Sequence, residues 1–252
     1  MSEPTFSDHF SGHAAQYAQF RPVYPPALYA YLASVCPRRV RAWDCATGSG
    51  QAAVALAGYF DQVVATDASA EQVAHAEAAA KVEYRVAPAE VSGIEAGSVD
   101  LVTVAQALHW FDLPAFYAEV ERVLSPGGVL AVWCYGLFQC SPEVDAWVEY
   151  LYSRLVGPYW PPERRLIEDG YRGLPFPYVE EEPPSFAMEA QWDLPRTTGY
   201  LRTWSAVQRY VEAQGQDPVA EIASQLGEAW GEAGQLRTIR WPLHLRVGRK
   251  PE

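Results

Sequence analysis

Several features are scarce in this sequence of 252 residues, and each scarcity excludes a class of protein. No apolar run approaches the length that a membrane span needs, so we predict no membrane association. The first residues have neither the basic region nor the apolar core of an export signal, which makes a cytoplasmic location the default expectation. The four cysteines include no Cys-x-x-Cys pair and are too few for a disulfide framework. We interpret them as reduced, mostly buried side chains; they are Cys36, Cys45, Cys134 and Cys140.

Positive charge is scarce as well. Lysine and arginine together number 19 against 31 aspartates and glutamates, which leaves a formal net charge of −12 at pH 7. Neutralisation of phosphates by cations supplies most of the non-specific affinity for DNA and RNA, so an acidic chain binds these polymers poorly. We therefore predict that the protein does not act on nucleic acid. Its 49% hydrophobic and 20% charged residues are the proportions of an ordinary globular protein.

Five apolar runs alternate with amphipathic stretches in the first half of the chain. The runs cover residues 40–45, 62–67, 82–87, 99–105 and 128–135. Alternation of this kind is typical of a parallel sheet with crossover helices. Ser69 begins a capping box that predicts a helix to about Ala80, and Asp112 is the predicted N-cap of a second helix that runs to Leu124. The core is therefore predicted to be an α/β sheet.

Other segments surround this predicted core. Residues 9–20 are predicted to form a short helix over its mouth, and prolines and aromatics crowd together after Tyr135 up to about Trp192, as in an irregular insertion. Helices are predicted over 197–213 and 217–233, and a final strand over 236–249. We accordingly divide the chain into four parts: a helical cover segment (1–36), the core (37–136), a cap (137–235) and a segment that completes the sheet (236–252).

A glycine-rich turn, DCATGSGQ, follows the first predicted strand and runs from Asp44 to Gln51. It fits the dinucleotide fingerprint G-x-G-x-x-A, with Asp67 after the second strand as the ribose-binding acid. Asp44 argues against a dinucleotide, because a carboxylate in this loop repels a pyrophosphate. S-adenosylmethionine (SAM) has no phosphate, and its ammonium, sulfonium and ribose groups tolerate carboxylates. The alternative for Asp44 is a turn former that caps the amides of its own loop.

Five motifs, taken in their order and spacing, resemble the class I SAM-dependent methyltransferases. They are DCATGSG (44–50), VVATDAS (63–69), APAE (87–90), VDLVTVAQALHWFD (99–112) and LSPGGVLAVW (124–133). Residues 6–25 and 200–210 are similar to the subgroup that includes the trans-aconitate methyltransferases. The resemblance implies a Rossmann-like, doubly wound fold. Its sheet would have seven mostly parallel strands, helices on both faces and a C-terminal antiparallel strand, with helical cap elements added.

The resemblance also implies a SAM site in which each position has a role. Asp67 would accept both ribose hydroxyls. Ala68 and Gln72 would border the adenine, while the Ala89 amide faces a ring nitrogen and Glu90 assists. The full cofactor-binding set is Tyr17, Arg21, Asp44, Ala46, Thr47, Gly48, Gly50, Asp67, Ala68, Gln72, Ala89, Glu90, Ala105 and Gln106.

The methionine end of SAM would be held by three segments. The backbone of residues 46–50 would lie against it, with Ala105 and Gln106 beside its amino-acid group. Tyr17 and Arg21 would hold its carboxylate, a role that suits a guanidinium group. For Arg21 the alternative is an exposed charge beside a proline.

Two positions depart from the family pattern. Ala46 stands where the family usually has its first glycine, so this residue must avoid a positive φ or accept some strain. Pro88 stands where many members place an acid that meets the adenine amino group. Selection of adenine would then depend on backbone groups and on the shape of the site.

Methyl transfer from a sulfonium is an in-line displacement, so holding donor and acceptor in line supplies most of the acceleration. A general base helps only an acceptor that keeps a proton, such as an alcohol or phenol. His109 follows the fourth predicted strand and is the candidate base; the alternative is a structural histidine that hydrogen-bonds the following turn. His9 and His13 have no nearby acid or cysteine that would complete a metal site, so we expect no metal.

The acceptor is predicted to be a small molecule. The sequence has neither the Asn-Pro-Pro-aromatic signature of DNA amino methylation nor a Pro-Cys nucleophile for cytosine. A partly apolar acceptor with a carboxylate or phenolic oxygen suits the aromatic cap, because aromatic walls exclude water and arginine can clamp a carboxylate. The candidate contacts are Trp110, Arg202, Trp204 and Arg209. In the alternative interpretation these aromatics only pack the cap onto the sheet, and the arginines are solvated.

Three hypotheses about function therefore remain. The first is a methyltransferase that acts on an oxygen of a small molecule, with a protein side chain as the other possible acceptor. The second is a NAD-dependent oxidoreductase on a related sheet. The third is a non-catalytic relative that binds SAM only as a sensor or structural ligand. A monomer and a homodimer both fit the sequence.

Overall fold

The computed structural model describes residues 22–252, and the predictions for the helix at 9–20, for Tyr17 and for Arg21 lie outside the described residues. The strands of the described part are β1 (Arg41–Cys45), β2 (Gln62–Asp67), β3 (Val82–Val86), β4 (Val99–Ala105), β5 (Leu124–Tyr135), β6 (Glu180–Glu181), β7 (Ala187–Trp192) and β8 (Arg237–Arg249). The α-helices are α1 (Pro26–Val35), α2 (Gln51–Leu56), α3 (Ala70–His75), α4 (Leu113–Val123), α5 (Pro142–Tyr150), α6 (Arg164–Glu168), α7 (Leu194–Arg202), α8 (Ser205–Gln214), α9 (Pro218–Glu221) and α10 (Ala223–Trp230).

The strands form a mixed sheet in the order β3-β2-β1-β4-β5-β8-β6, and β7 pairs with β8 off this path. Strands β1 to β5 are parallel, and β8 is antiparallel to β5. The predicted fold is confirmed: a mostly parallel Rossmann-like sheet with a C-terminal antiparallel strand. The described residues contribute eight strands to it, one more than predicted.

The additional strand is β7. It can join the sheet because β8 is long enough to pair with β7 along its first half and with β5 along its second half. The first half of β8 pairs with β7, from Trp192 opposite Arg237 to Ala187 opposite Pro242. The second half pairs with β5, from Tyr135 opposite Leu243 to Val129 opposite Arg249. The change of partner falls at Pro242, which has no N–H to donate to a ladder.

Hydrophobic side chains cover both faces of the sheet, as expected for parallel strands with helices on each side. On one face, α1 and α2 pack against residues such as Leu101 and Ala131, in a cluster that continues into the cap as far as Trp230. On the other face, Phe116 of α4 packs against Trp43. The division of the chain at residues 36, 136 and 235 stays an interpretation of the sequence. No helix among residues 22–252 has the length and apolar character needed to cross a membrane.

The predicted helix caps are correct, but several helix ends differ from the prediction. Ser69 accepts a hydrogen bond from the Gln72 amide at 3.3 Å, yet α3 ends at His75 and not near Ala80. The reason lies in the next residues: the Glu77 amide donates to Ser49 O, and the Glu77 carbonyl accepts from the Tyr84 hydroxyl at 2.6 Å. These bonds tie the chain to the glycine-rich loop and replace the next helical turn.

The predicted helices of the cap are each divided in two. The helix predicted over 197–213 is α7 and α8, separated at Trp204, whose backbone is extended and whose ring is buried. The helix predicted over 217–233 is α9 and α10, and its predicted N-cap is present because Asp217 accepts from the Val219 amide. The fifth strand begins at Leu124, where the prediction had a turn leading to residue 128.

Candidate functional site

The site is at the carboxyl edge of the sheet, where β1 separates from its two neighbours. Cys45 at the end of β1 is level with Thr66 of β2 and with Val104 of β4. The loops that follow these three parallel strands therefore meet at one edge. The chain leaves β1 towards β2 on one side, while β4 lies on the other. In open α/β sheets, such a switch point is where ligands bind.

The glycine-rich loop after β1 takes an unusual backbone path. Ala46 has φ 54°, Gly48 has φ 56° and Gly50 has φ 87°. Ala46 therefore accepts strain, which was one of the two outcomes left open for this position. A Cβ at Gly50 would overlap the hydroxyl of Tyr84, so any larger residue there requires Tyr84 to move and adds strain at φ 87°. The loop lies close to its neighbours and presents backbone to the site.

Asp67 at the end of β2 orders this loop. One carboxylate oxygen accepts the Gly48 amide at 2.9 Å, and the other accepts the Ser69 amide at 2.9 Å. Each oxygen has a second lone pair, so the group keeps acceptor capacity for two hydroxyls. The position and the orientation suit the predicted contact with a ribose, and that contact stays a prediction.

Asp44 is buried beneath the loop. It accepts hydrogen bonds from the hydroxyls of Thr47 and of Thr103, which stands opposite it on β4. Burial raises the pKa of Asp44 from 3.8 to about 6, although these two hydroxyls oppose the shift. Both oxygens of Asp44 thus have hydroxyl partners, and its predicted contact with the cofactor stays a prediction. Its side-chain partners are these two hydroxyls, and a backbone hydrogen bond from Ala53 of α2 also opposes the rise in its pKa.

The residues assigned to the adenine lie along the next two loops. Ala68 is exposed and Gln72 is in the first turn of α3, while Ala89 is buried. The carboxylate of Glu90 accepts the Asp112 amide at 3.1 Å, where α4 begins. One oxygen of Glu90 thus holds the start of α4 in place. The assignments to adenine stay predictions.

Gln106, after β4, joins the ends of two strands. Its side-chain amide donates to Tyr135 O at 3.0 Å, and its amide oxygen accepts Tyr135 N at 2.8 Å. Its backbone has φ 59°. The side chain is therefore engaged with β5, and the part of Gln106 left for a cofactor is its main chain, next to Ala105.

His109 lies on a short 3₁₀ helix (Leu108–Trp110) after β4. Its Nδ1 is 2.8 Å from the hydroxyl of Tyr171, a fully buried residue of the cap. Burial and, as a smaller cause, the cation of Arg164 together lower the pKa of His109 from 6.5 to about 4. The imidazole is consequently neutral at pH 7. The expected bond from a structural histidine to the following turn is replaced by this bond to Tyr171, a partner that the sequence analysis missed.

The predicted acceptor residues differ in their surroundings. Trp110 is 39% exposed, whereas Trp204 is packed against the rings of Tyr152 and Trp160. Arg202 forms an exposed ion pair of 2.8 Å with Asp217. Arg209 donates to the carbonyl of Tyr159 at 3.2 Å. These structural contacts weigh against the predicted arginine clamp and favour the packing interpretation of Trp204.

Known proteins resemble this chain, some of them over almost its whole length. A family described as "Methyltransferase domain" matches residues 43–132. A Dictyostelium discoideum protein described as a methyltransferase is 34% identical over 252 residues, an alignment that covers 97% of this chain and 96% of that protein. A Saccharomyces cerevisiae protein described as an S-adenosylmethionine-dependent methyltransferase is 30% identical over 173 residues, or 64% of this chain and 60% of that protein.

A solved structure is also similar. It is of a protein from Anaeromyxobacter dehalogenans described as a type II methyltransferase, and it is 47% identical, with a TM-score of 0.89. The alignment covers 92% of this chain and all of that one.

These similarities, together with the sheet order and the loop after β1, show that the chain belongs to the class I methyltransferase family. It is a SAM-dependent methyltransferase, which decides against the NAD-dependent oxidoreductase and the non-catalytic relative. The site fits SAM: it offers Asp67 for a diol and the buried charge of Asp44 near a cation, in a loop where a pyrophosphate would be repelled. The resemblance to the trans-aconitate subgroup stays a prediction.

Proposed function

We propose that this methyltransferase transfers the methyl group to an oxygen, carboxylate or hydroxyl, of a small molecule. The observation that carries the proposal is the hydrogen bond between His109 and Tyr171. It joins the carboxyl end of β4 to the cap, so the cap covers the side of the site beside β4. A covered site admits a small acceptor more readily than a polymer, and the net charge of −12 disfavours nucleic acid.

SAM supplies an activated methyl group and a neutral thioether as leaving group. The contribution of the chain is to hold the donor, align the acceptor and exclude water. We assign Asp67 to the ribose, the buried charge of Asp44 to the ammonium, and the backbone of residues 46–50 to the methionine part. Tyr17 and Arg21 keep their proposed role at the carboxylate of SAM.

The neutral state of His109 affects the choice of acceptor. A group with a pKa of about 4 is unprotonated at pH 7 but is a weak base, so it removes a hydroxyl proton poorly. A carboxylate acceptor needs no base. The weak basicity of His109 therefore favours a carboxylate over an alcohol as acceptor, with formation of a methyl ester. A cytoplasmic location and a monomer or homodimer stay predictions from the sequence.

Transfer of labelled methyl groups tests this proposal. Purified enzyme is incubated with methyl-labelled SAM and a metabolite extract, and the label is followed in small-molecule, protein and nucleic-acid fractions. We expect label in small molecules, released as methanol by mild alkali because methyl esters hydrolyse readily. Alkali-stable label in small molecules would exclude a methyl ester, and mass spectrometry of the product would then separate an ether, the hydroxyl alternative, from an N-methyl or C-methyl product, which would overturn transfer to oxygen. Label confined to protein or nucleic acid would overturn the substrate class.

A further inference from the structure

Arg164, the first residue of α6, is held in a fixed position by the cap. Its Nε donates to the hydroxyl of Tyr152 at 2.8 Å, and that hydroxyl donates in turn to Glu168. The guanidinium lies 4.7 Å from the ring centroid of Trp160 and 5.4 Å from that of Tyr152. Both the direction and the plane of the guanidinium are therefore set by neighbouring side chains.

Among residues 22–252, the terminal nitrogens of Arg164 have no hydrogen-bond or ion-pair partner. Within residues 22–252 only Nε has a hydrogen bond, and no carboxylate lies within ion-pair distance of this arginine. The nearby acid, Glu168, is engaged with Tyr152. A half-buried cation without a counter-ion is costly, and the surrounding aromatic rings remove water that would otherwise solvate it.

Arg164 also lies on the side of the cap that faces the carboxyl edge. Helix α6 is packed on β5, where the Cys134 thiol is 3.8 Å from the Ile167 carbonyl. Burial is the main cause of the low pKa of His109, and the cation of Arg164 is the second. The same cation lowers the pKa of Cys134, which burial raises. His109 follows β4 and Cys134 is near the carboxyl end of β5, so Arg164 lies close to the edge of the sheet where the acceptor must enter.

We propose that Arg164 binds an anionic group of the acceptor, such as a carboxylate, against the wall formed by Trp160 and Tyr152. This inference rests on the proposed function and adds a specificity-determining residue to it. The two terminal N–H groups of arginine match a carboxylate in two-pronged geometry. Tyr152 is then a positioning residue, because it orients Arg164 through Nε and takes no part in the reaction itself.

The anionic group held by Arg164 is a non-reacting one. In the transfer step the acceptor oxygen forms a bond to the methyl carbon as the carbon–sulfur bond breaks and its electron pair goes to sulfur. Both the negative charge on a carboxylate acceptor and the positive charge on sulfur disappear. A cation on the reacting oxygen would stabilise the ground state more than the transition state and would slow the step. The acceptor therefore has a second, distant anionic group.

Binding of matched probes tests this assignment. The probes are a panel of small mono- and dicarboxylates, each paired with its primary amide, and binding is measured by saturation-transfer NMR and calorimetry with S-adenosylhomocysteine present. We expect carboxylates to bind the wild-type protein better than their amides. Arg164→Gln should weaken carboxylate binding by about tenfold or more and leave amide binding nearly unchanged.

Arg165→Gln is the matched control, because it removes the same charge from the next, exposed position of α6. It should leave carboxylate binding unchanged. Unaltered binding of S-adenosylhomocysteine by both variants shows that they are folded. If Arg164→Gln does not fold, Arg164→Lys replaces it in the comparison, because lysine keeps the charge but loses the two parallel N–H donors of the guanidinium. Wild-type protein that binds carboxylates no better than amides, or Arg164→Gln that binds them as tightly as wild type, would overturn the proposal.

The two proposals fail separately. Label transferred only to protein removes the small-molecule acceptor but leaves carboxylate binding at Arg164 measurable. Transfer to small molecules without an anionic group, with no effect of Arg164→Gln on probe binding, keeps the proposed function and removes this inference.

Discussion

Three residues other than glycine have a positive φ in the described chain, and all belong to the site or touch it. They are Ala46, Gln106 and Tyr171, with φ of 54°, 59° and 61°. Such strain persists only where other contacts fix the residue. The Gln106 amide donates to Trp133 O, and the Tyr171 carbonyl accepts from Arg246. The strained residues thus lie in the loop after β1, the loop after β4 and the part of the cap that contacts His109.

Replacement of Ala46 tests whether its conformation is strained. A left-handed residue other than glycine costs about 1–2 kcal/mol, whereas glycine gains freedom in the unfolded chain worth about 0.4–1 kcal/mol. Ala46→Gly should therefore raise the free energy of unfolding by roughly 0.5–1 kcal/mol, measured by urea denaturation, with SAM affinity equal or better. A less stable variant would show that the loop holds Ala46 without strain.

Asp67 is the residue whose loss should affect SAM binding most directly. Charge-assisted hydrogen bonds contribute about 1.5–3 kcal/mol each, so Asp67→Ala should weaken SAM binding by at least about tenfold in calorimetry. Asp67→Asn, which keeps one acceptor for the Gly48 amide, should lie between wild type and Asp67→Ala. Wild-type affinity in a folded Asp67→Ala protein would remove the ribose assignment.

Asp44 should make stability depend on pH. Its pKa is about 6 in the folded chain and 3.8 ordinarily, so the folded state binds the proton more tightly. The resulting stabilisation is complete below pH 3.8 and is lost as pH rises through about 6. At pH 7.5, Asp44→Asn should therefore raise the free energy of unfolding by up to roughly 3 kcal/mol. Urea denaturation should show little gain at pH 4, and an equal gain at both pH values would contradict this account.

The individual residues of the site differ in how far sequence could predict them. Asp67 and the loop from Ala46 to Gly50 follow apolar strands directly, so strand periodicity places them at one edge. Arg164 could not be found in this way, because its importance comes from Tyr152, twelve residues away, and from its nearness to His109 across the fold. Arg202 and Arg209 have the same charge, but long-range contacts engage them elsewhere.

Among the elements, the contact of α2 with β3 depends on one glycine. Gly50 is the N-cap of α2, and Tyr84 of β3 lies against it while its hydroxyl holds the Glu77 carbonyl. The glycine-rich loop, α2 and the segment after α3 are joined at this point.

A methyl group at Gly50 should disturb the glycine-rich loop, α2 and the segment after α3 together. Gly50→Ala adds strain at φ 87° and displaces Tyr84, so we expect a loss of about 2–3 kcal/mol in the free energy of unfolding and weaker SAM binding. Gly93→Ala is the matched control: its φ is 67° and nothing lies within 4 Å of the added Cβ. That variant should lose only the strain energy. Equal losses in urea denaturation would show that the contact with Tyr84 is unimportant.

Sequence predicted the elements of the core better than those of the cap. Strands β2 and β4 have the predicted bounds, because each is an apolar run enclosed by polar residues. Helix α3 is shorter than predicted because tertiary hydrogen bonds to Ser49 and Tyr84 replace its last turns. The cap helices divide where a buried ring, such as Trp204, needs an extended backbone.

At the scale of the whole molecule, Arg246 of β8 connects the sheet to the part of the cap that faces His109. The residue is 9% exposed, and its guanidinium donates to the carbonyls of Tyr171 and Leu174 at 2.6 and 2.9 Å. It also forms a two-pronged ion pair with Glu180 of β6, at 2.7 and 2.8 Å. The pair holds the pKa of the Glu180 carboxyl below its usual value. One arginine thus fixes residues 171–180 onto the final strand.

Removal of Arg246 should release this segment. Arg246→Met keeps an apolar stem but removes the donor to the Leu174 carbonyl and one of the two donors to the Tyr171 carbonyl, and it leaves Glu180 without its partner. We therefore expect a loss of about 2–3 kcal/mol in the free energy of unfolding at pH 7. Glu180→Gln removes only the ion pair; because this carboxylate is 43% exposed, the loss should be below about 1 kcal/mol. SAM affinity should change little in either variant, since Asp67 and Asp44 are on other strands. If urea denaturation gives equal losses, the ion pair, and not the bonds to Tyr171 and Leu174, holds the cap on the sheet.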